Sequence, residues 1–310
     1  MPRYSVVVTV YNKQDFIQST LESVLRQSQD DFEILVIDDG STDNSAEVIQ
    51  GIDDDRITYF YQANRGAAAA RNLGIAEARS SFIALMDGDD LWHPDYLATI
   101  DRLHERHPLA RVLATGYEIN GLHHTYPAEY SISKPKNAQP AMVSFFGSSE
   151  IHSLLTSSSA VIHRSVFDQV GFYDETITSG QDTDLWIRIG LHYQVAFDPE
   201  IRVTLRYDKQ SLSKQNTSFD TLLDLDRYAA EEAQHPELKK FLDLNRFSFA
   251  LKARLWNEAA QYKRFRESID LTHLNWKQRF LLRQPAAVLR ILLQVKRWAE
   301  RRQLYWSAFR

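Results

Sequence analysis

The sequence contains no cysteine. Disulfide cross-links, thiolate zinc sites and cysteine nucleophiles are therefore excluded, and the absence is typical of a reducing compartment. Long apolar runs are also missing, since none reaches the ~18 residues that a membrane-spanning helix needs. The first residues enter a strand-like run without the charged, apolar and cleavage regions of a signal peptide, so we expect a cytoplasmic protein whose membrane contact is peripheral.

Glycine-rich phosphate loops are missing as well. With 11 glycines in the chain, neither a Walker-type loop nor a G-x-G-x-x-G fingerprint occurs, which makes ATPase and NAD-dependent chemistry poor fits. A nucleotidyltransferase should carry a glycine-rich loop after its first strand, and this chain reads TVYNKQD there. That enzyme class is therefore disfavoured.

The overall composition is that of an ordinary globular protein. Hydrophobic residues make up 44% of the 310 positions and charged residues 25%, which predicts a folded chain with a substantial core. The net charge of −5 hides an asymmetry, because the residues from Lys239 onward include 17 Lys and Arg but 5 Asp and Glu. The acidic and basic parts of the chain therefore face different surroundings.

The first third of the chain alternates between strand-like and helical patterns. Runs rich in β-branched and aromatic residues occupy positions 4–10, 32–37, 57–61 and 82–86. Helical periodicity between them covers positions 14–26, 43–50 and 66–78. This alternation favours an α/β fold with a mostly parallel sheet flanked by helices, and such sheets bind ligands beyond the carboxyl ends of their strands.

The remainder of the chain is less regular at first. Positions 111–146 break into short strand-like pieces, which we interpret as a covering subdomain rather than more sheet core. Positions 157–208 return to strands and helices, with one short helix ended by Gly171, and positions 218–310 read as mostly helical.

Acidic clusters follow two of the predicted strands. VIDDGSTD follows the second and LMDGDD the fourth, so both clusters open onto the same edge of the sheet. Asp87 and Asp89 are separated by Gly88, and residues i and i+2 of an extended segment point to the same side. All-oxygen ligation suits Mg²⁺ or Mn²⁺, whose shell is completed by water and phosphates. The alternative is a solvated, helix-capping turn.

Five motifs carry a resemblance to a known family. Between positions 4 and 213, VVVTVYN, VIDDGSTD, NRGAAAARNLGI, ALMDGDD and GFYDETITSGQDTDLWIRI occur in an order and spacing that resemble inverting family 2 glycosyltransferases. The resemblance implies the GT-A fold, a Rossmann-like nucleotide-diphospho-sugar transferase sheet, with a mainly helical C-terminal extension. It also implies a nucleotide-sugar donor, most often UDP-linked, and a divalent cation, Mg²⁺ or Mn²⁺, held by Asp87-Gly88-Asp89.

The same resemblance implies a division of the chain. A catalytic domain would occupy 1–217, with a nucleotide-binding half at about 1–110 and an acceptor-binding half at about 111–217. A basic helical region would occupy 218–310.

The resemblance further implies a nucleotide site at the sheet edge. Its residues would be Thr9, Tyr11, Asp39, Arg71, Asp87 and Gly88. The ring of Tyr11 would stack on the base, Asp39 would contact the base and the ribose, and Asp87 would face the ribose. Asp38 could equally serve the turn, and Asp90 is interpreted as a helix cap.

Metal ligands are implied at two positions. Asp89 would bind the cation directly. Asp208 aligns with a histidine that many relatives use as a further ligand, and a surface-loop charge is an equal alternative for it.

The catalytic base is expected in the motif GQDTDLWIRI. Asp182 takes the base position, Gln181 replaces the family's usual glutamate, and Arg188 matches its arginine. Asp184 is the rival, with a helix-terminal charge as its other interpretation. The resemblance implies that Asp182 takes the proton from an acceptor hydroxyl in a single displacement that inverts the anomeric carbon.

The basic C-terminal region contains an amphipathic helix at positions 288–302. Its apolar stripe consists of Val288, Leu292, Val295 and Ala299, and the cations nearly opposite are Arg290, Arg297 and Arg301. Such a helix favours peripheral contact with anionic lipid at the inner face of the cell membrane, and the alternative is that the stripe packs on the catalytic domain. No nucleic-acid recognition motif accompanies the charge, so nucleic acid is not an expected partner.

Two functional hypotheses follow. The first is a metal-dependent inverting glycosyltransferase that transfers a sugar to a glycan or lipid-linked acceptor, in cell-surface polysaccharide or glycolipid synthesis. The second is a catalytically silent nucleotide- or glycan-binding subunit of a glycan assembly complex, which Gln181 and Asp208 keep open. Either protein could be an oligomer.

Overall fold

The computed structural model describes residues 1–122, 124–132, 139–207, 219, 222–302 and 308, with the side chains of all these residues except 297, 300 and 301. The strands are β1 (Tyr4–Val10), β2 (Phe32–Asp38), β3 (Ile57–Tyr61), β4 (Phe82–Asp87), β5 (Leu91–Trp92), β6 (Val112–Asn120), β7 (Thr125–Pro127), β8 (Ala141–Val143), β9 (Ala160–His163) and β10 (Val195–Arg206).

Helices connect and follow these strands. They are α1 (Ile17–Leu25), α2 (Ser45–Gln50), α3 (Ala67–Glu77), α4 (Tyr96–Arg106), α5 (Phe145–Ser148), α6 (Arg164–Val170), α7 (Gln181–His192), α8 (Ala229–Glu232), α9 (Pro236–Trp256), α10 (Ala259–Ser268), α11 (Trp276–Leu282) and α12 (Ala286–Arg301). Short 3₁₀ turns lie at Ser157–Ser159, Leu225–Tyr228 and Leu271–His273.

The strands form one mixed sheet. Its order is β3-β2-β1-β4-β9-β6-β10-β5, with β7 paired to β6 and β8 to β10. β1 pairs in parallel with β2 and β4, and β2 with β3, whereas β9 runs antiparallel to β4 and β6. The predicted α/β sheet with flanking helices and a helical C-terminal region is confirmed.

The central strands are buried on both faces because helices cover each side of the sheet. In β1, Val7 packs in the cluster that contains Ile75 of α3, whereas Val6 and Val8 pack in the cluster that contains Leu21 of α1. Strands covered on both faces read as near-continuous apolar runs, which is why YSVVVTV carries valine on each face.

The expectation that positions 111–146 form a cover is wrong for β6. This strand lies inside the sheet between β9 and β10, and its residues from Val112 to Tyr117 are buried. Leu113 belongs to one hydrophobic cluster, and Val112 and Ala114 belong to the other. Both faces of β6 are therefore sheet core, and the short pieces β7 and β8 attach beside it.

The C-terminal helices pack on the sheet domain through α9. Leu238 and Phe241 of this helix enter the cluster that contains the core of α7. Further along α9, Phe247 packs with Phe265 and Leu282 in a cluster of the C-terminal helices themselves. Helix α9 is thus shared between the sheet domain and the helices that follow it.

Helix α12 uses only part of its predicted apolar stripe for packing. Ala299 is buried and Leu292 is half-buried, but Val295 is exposed. Ile291, Val295 and Trp298 are all exposed, at the i, i+4, i+7 spacing of one helix face. Among the residues that the structure describes, no helix is both long and apolar enough to span a bilayer.

Candidate active site

A cleft of about 930 Å³ opens where β1, β2 and β4 end. The predicted site residues that line it are Thr9, Tyr11, Asp39, Arg71, Asp87, Gly88, Asp89 and Asp182. Asp208, the remaining predicted site residue, lies outside the described residues. The carboxyl ends of parallel strands meet at one edge of a sheet, so motifs far apart in the chain converge in this cleft.

The turn after β4 depends on Gly88. Its backbone N–H donates to the carbonyl oxygen of Thr9 at 2.9 Å, so the turn packs directly against the end of β1. A Cβ at position 88 would lie 2.9 Å from the same oxygen, closer than side chains normally approach. Glycine at this position therefore brings Asp87 and Asp89 to the cleft.

The two aspartates after β2 have different roles. Asp38 is fully buried and accepts hydrogen bonds from the Ser41 backbone N–H at 2.8 Å and the Tyr59 hydroxyl at 2.7 Å, so it holds the turn. Asp39 lines the cleft and accepts from the backbone N–H of Gly66 at 2.8 Å, at the start of α3. Its contact with a nucleotide stays a prediction.

Arg71 holds two of the cleft carboxylates. Its side chain is 6% exposed, its Nη2 donates to Asp87 Oδ1 at 2.7 Å, and its Nη1 lies 3.2 Å from Asp182 Oδ1. The guanidinium also lies 5.3 Å from the centre of the Tyr173 ring. Burial alone would lower the pKa of Arg71, but the charges of Asp182 and Asp87 outweigh it and raise the pKa above its ordinary value. Arg71 therefore organises the carboxylates, and a nucleotide contact of its own stays a prediction.

Asp182 lies in the first turn of α7, after Gly180 in the left-handed conformation. Its side chain is 39% exposed, and the Ser157 hydroxyl lies 3.3 Å from its Oδ1. Desolvation by the surrounding protein raises the pKa of the Asp182 carboxyl above its usual value. The Arg71 guanidinium opposes this rise, and the charge of Asp87 adds to it. An accessible carboxylate that is more basic than a free aspartate suits a general base.

The rival base, Asp184, is fully buried. It accepts a hydrogen bond from the Tyr228 hydroxyl at 2.5 Å, and the Arg188 guanidinium lies 2.8 Å away. Arg188 also donates to the Phe172 carbonyl oxygen at 2.9 Å, beyond the end of α6. Asp184 and Arg188 thus tie α7 to its neighbours, and neither lines the cleft.

The interpretation of Asp90 as a helix cap is wrong. Helix α4 begins at Tyr96, and Asp90 is instead buried, accepting from the Ser158 hydroxyl at 2.5 Å and the Arg206 backbone N–H at 2.9 Å. Burial, and then the charges of Asp87 and Asp89, raise the pKa of Asp90 well above its ordinary value. It anchors the acidic turn to β10 and to the 3₁₀ turn before β9.

Lys13 is a cleft residue that the sequence patterns did not single out. Its ammonium lies 2.6 Å from Asp89 Oδ2, and both side chains are 14% exposed. The available signal was its position directly after TVYN, in the loop that leaves β1 at the same edge as the acidic turn. Tyr173 and Ser157, which surround Asp182 and Arg71, carried no comparable signal.

The donor set around Asp89 fits one kind of metal ion. Magnesium-type ions use one or two protein carboxylates and complete their shell with water and substrate phosphates. The Asp89 carboxylate lines a nucleotide-sized cleft, which leaves room for those other ligands. Among the described residues, no group of three or more His, Cys, Asp or Glu side chains is placed to hold a metal ion by itself. The Lys13 ammonium already contacts this carboxylate, so a divalent cation would compete with it.

Known proteins are similar to this chain in sequence and in fold. The family model for glycosyl transferase family 2 matches residues 5–171. An uncharacterised glycosyltransferase of Rickettsia bellii is 27% identical over 271 residues, which cover 83% of this chain and 38% of that protein. One from Rickettsia typhi is 29% identical over 228 residues, covering 71% of this chain and 68% of the relative. This chain thus spans well under half of the R. bellii protein.

A solved structure extends the comparison to the fold. Residues 1–349 of S. aureus TarS in complex with UDP-GlcNAc superimpose with a TM-score of 0.68 at 17% identity, covering 98% of this chain and 93% of that one. At this identity the likeness concerns the fold, which is GT-A. The family match covers more than half of the chain and includes β1 to β4, which build the cleft. The chain therefore belongs to glycosyltransferase family 2.

Proposed function

We propose that the protein transfers a sugar from a UDP-linked donor to a hydroxyl group of a glycan or lipid-linked acceptor, with inversion and with Mg²⁺ or Mn²⁺ as cofactor. The observation that carries the proposal is the single cleft in which Asp39, Asp89 and Asp182 meet from separate parts of the chain. A structure with the same fold, that of S. aureus TarS, holds UDP-GlcNAc.

Different parts of the cleft would hold the base, the ribose and the diphosphate of the donor. Tyr11 and Asp39 lie at its β1 and β2 end and would contact the base and ribose. Ala67, at the start of α3, lines the wall, and a helix N-terminus favours a diphosphate. Lys13 and Arg65 line the same cleft and add positive charge. A cation bound at Asp89 would offset the charge of the departing diphosphate.

Asp182 would act as the base of a single displacement. The acceptor hydroxyl oxygen forms a bond to the anomeric carbon while the bond from that carbon to the diphosphate oxygen breaks. The hydroxyl proton passes to the Asp182 carboxylate, and UDP leaves with the electron pair of the broken bond. Attack from the face opposite the leaving group inverts the anomeric centre. Arg71 holds Asp182 in place for this step.

UDP release is the test of this proposal. Wild-type protein would be assayed with UDP-glucose, UDP-galactose and UDP-GlcNAc, with and without Mn²⁺, beside Asp182→Asn. We expect the variant to lose about 10²–10⁴-fold in rate while it still binds UDP. Asp168→Asn is the matched control, because Asp168 is exposed on α6 outside the cleft. If wild type releases UDP no faster than Asp182→Asn with every donor, the result would instead favour the catalytically silent subunit.

Membrane contact through the C-terminal helices is part of the same proposal. The surface that α11 and α12 expose contains the apolar side chains Trp276, Phe280, Ile291, Val295 and Trp298. It belongs to the part of the chain with 17 Lys and Arg against 5 Asp and Glu, so its charge complements anionic lipid. A location at the inner face of the cell membrane would bring the cleft to lipid-linked or cell-surface glycans.

Vesicle binding tests the membrane contact. We expect the protein to sediment with vesicles that contain phosphatidylglycerol and to be released by salt, and Ile291→Glu with Trp298→Glu to abolish binding. Leu109→Glu is the control, because Leu109 is apolar and even more exposed but lies on the sheet domain. Undiminished binding by the double variant would rule this surface out.

A further inference from the structure

A second cavity lies where α7 meets α9 and the segment 145–153. Its volume is about 300 Å³, at the lower end of the roughly 300–1,000 Å³ typical of small-ligand sites. Thr183 and Trp186 of α7 form one wall, and Asn245 and Ser248 of α9 form another. None of these residues belongs to the cleft described above.

The cavity adjoins the carboxylate proposed as the base. Gln181 and Asp182 line the donor cleft, and Thr183, the next residue of α7, lines the cavity. Trp186 follows Asp182 by four residues, which places both side chains on nearly the same helix face, about 6 Å apart along the axis. The first turn of α7 therefore borders both spaces, and Asp182 lines the donor cleft.

The lining of the cavity combines polar and apolar groups. Hydroxyl and amide side chains of Ser149, Thr183, Asn245 and Ser248 face the same space as the rings of aromatic residues such as Trp186. Sugar rings present hydroxyl groups at their edges and C–H groups on their faces, so they need both kinds of contact. The Ser149 hydroxyl accepts from the Leu154 backbone N–H and the Ser248 hydroxyl donates to the Leu244 carbonyl oxygen, and each hydroxyl keeps further hydrogen-bonding capacity for a ligand.

A charged pair lies at this cavity as well. Glu150 is one of the lining residues, and its carboxylate accepts a hydrogen bond from the Lys240 ammonium of α9 at 2.6 Å. The pair is neutral as a unit, so the site carries no net charge from it. Neutral hydroxyl-bearing ligands suit such a site better than phosphates.

We propose that this cavity binds a sugar ring of the acceptor, next to the hydroxyl group that receives the donor sugar. The inference rests on the proposed function, since the acceptor must reach Asp182. The walls formed by α7 and α9 lie beyond residue 171, where the family match ends, whereas the segment 145–153 lies within it. Acceptor choice would then depend on α9.

Filling the cavity tests the proposal. Ser248→Phe places a ring in it, and Lys252→Phe places the same ring at an exposed position of the same helix as the control. Asn245→Ala removes a polar group without adding bulk, so it serves if the larger side chain impairs folding. The probes are the methyl β-glycosides of glucose, galactose and N-acetylglucosamine, whose binding is followed by saturation-transfer NMR.

We expect at least one glycoside to bind wild type and the Lys252→Phe control, with binding weakened tenfold or more in Ser248→Phe and several-fold in Asn245→Ala. UDP binding and the slow hydrolysis of the donor should stay unchanged in all three. Equal glycoside binding by wild type and Ser248→Phe, or no binding of any glycoside to wild type, would overturn the inference. If wild type binds a glycoside and Ser248→Phe does not, the cavity is supported even when wild type releases no UDP. The absence of UDP release would then count against the proposed function alone.

Discussion

Arg71→Met should shift the acid limb of the pH–rate profile. Arg71 is the cation that holds the Asp182 carboxylate, with Nη1 3.2 Å from Oδ1, and it opposes the rise that burial imposes on the Asp182 pKa. A base works only when deprotonated, so activity is lost as the pH falls through this pKa. Removing the guanidinium raises the pKa further and moves the loss of activity to higher pH.

The size of the shift follows from the exposure of the carboxylate. Ion pairs that solvent screens contribute about 0.2–1 kcal/mol. Because 39% of the Asp182 side chain is exposed whereas Arg71 is nearly buried, we take the upper end, ~1 kcal/mol. At a pH below the limb, kcat/KM should therefore fall about fivefold beyond any change seen at high pH.

The assay is kcat/KM for UDP release between acid and neutral pH, which reports ionisation in the free enzyme. Arg71→Lys keeps a positive charge and should shift the limb less than Arg71→Met. Arg26→Met, at the exposed residue that follows α1, controls for the substitution itself. An acid limb that stays in place or moves to lower pH in Arg71→Met would refute the electrostatic link between Arg71 and Asp182.

Three further substitutions probe the site and its support. Gly88→Ala should lower the stability to thermal unfolding by about 1–3 kcal/mol and impair UDP binding, because the new Cβ would lie 2.9 Å from a carbonyl oxygen of β1. The control is Gly51→Ala, whose Cβ would have its nearest neighbour at 3.4 Å and should change neither property. Equal behaviour of the two variants would contradict the close approach at Gly88. Lys13→Met should tighten Mn²⁺ binding about tenfold in the absence of nucleotide, because the Lys13 ammonium, 2.6 Å from Asp89, competes with the ion for the carboxylate. Electron paramagnetic resonance measures this binding, and unchanged or weaker binding would contradict the competition. Asp243→Ala should lower the free energy of unfolding in urea by about 3–5 kcal/mol, because this fully buried carboxylate accepts hydrogen bonds from Lys239 at 2.6 Å and His273 at 2.7 Å. A loss below ~1 kcal/mol would show that these buried contacts contribute little to stability.

Local patterns were sufficient for strands β1 to β4 of the sheet. The predicted runs at 4–10 and 57–61 coincide with β1 and β3, and β4 extends one residue further than predicted, to Asp87. These strands are parallel, and β1 and β4 are covered on both faces, so each reads as a short apolar run between helical patterns. The rule that their carboxyl ends share one edge then sufficed to predict that Asp39 and Asp89 line one cleft.

Choices that depend on distant packing could not be made from the sequence. Asp182 and Asp184 both lie near the start of α7, and contacts from distant segments, such as the Tyr228 hydroxyl, distinguish the buried Asp184. Asp90 resembled a cap because its partner, Ser158, lies in another motif. The strand β6 was mistaken for a cover because strand patterns do not reveal which neighbours a strand pairs with.

A crystal structure of the protein with UDP and Mn²⁺ tests most directly whether the acidic side chains surround one nucleotide. We expect anomalous density for Mn²⁺ within bonding distance of the Asp89 carboxylate, the diphosphate beside it, and the uracil against Tyr11 and Asp39. A nucleotide bound outside this cleft, or an ion held by residues remote from Asp89, would contradict the proposed site.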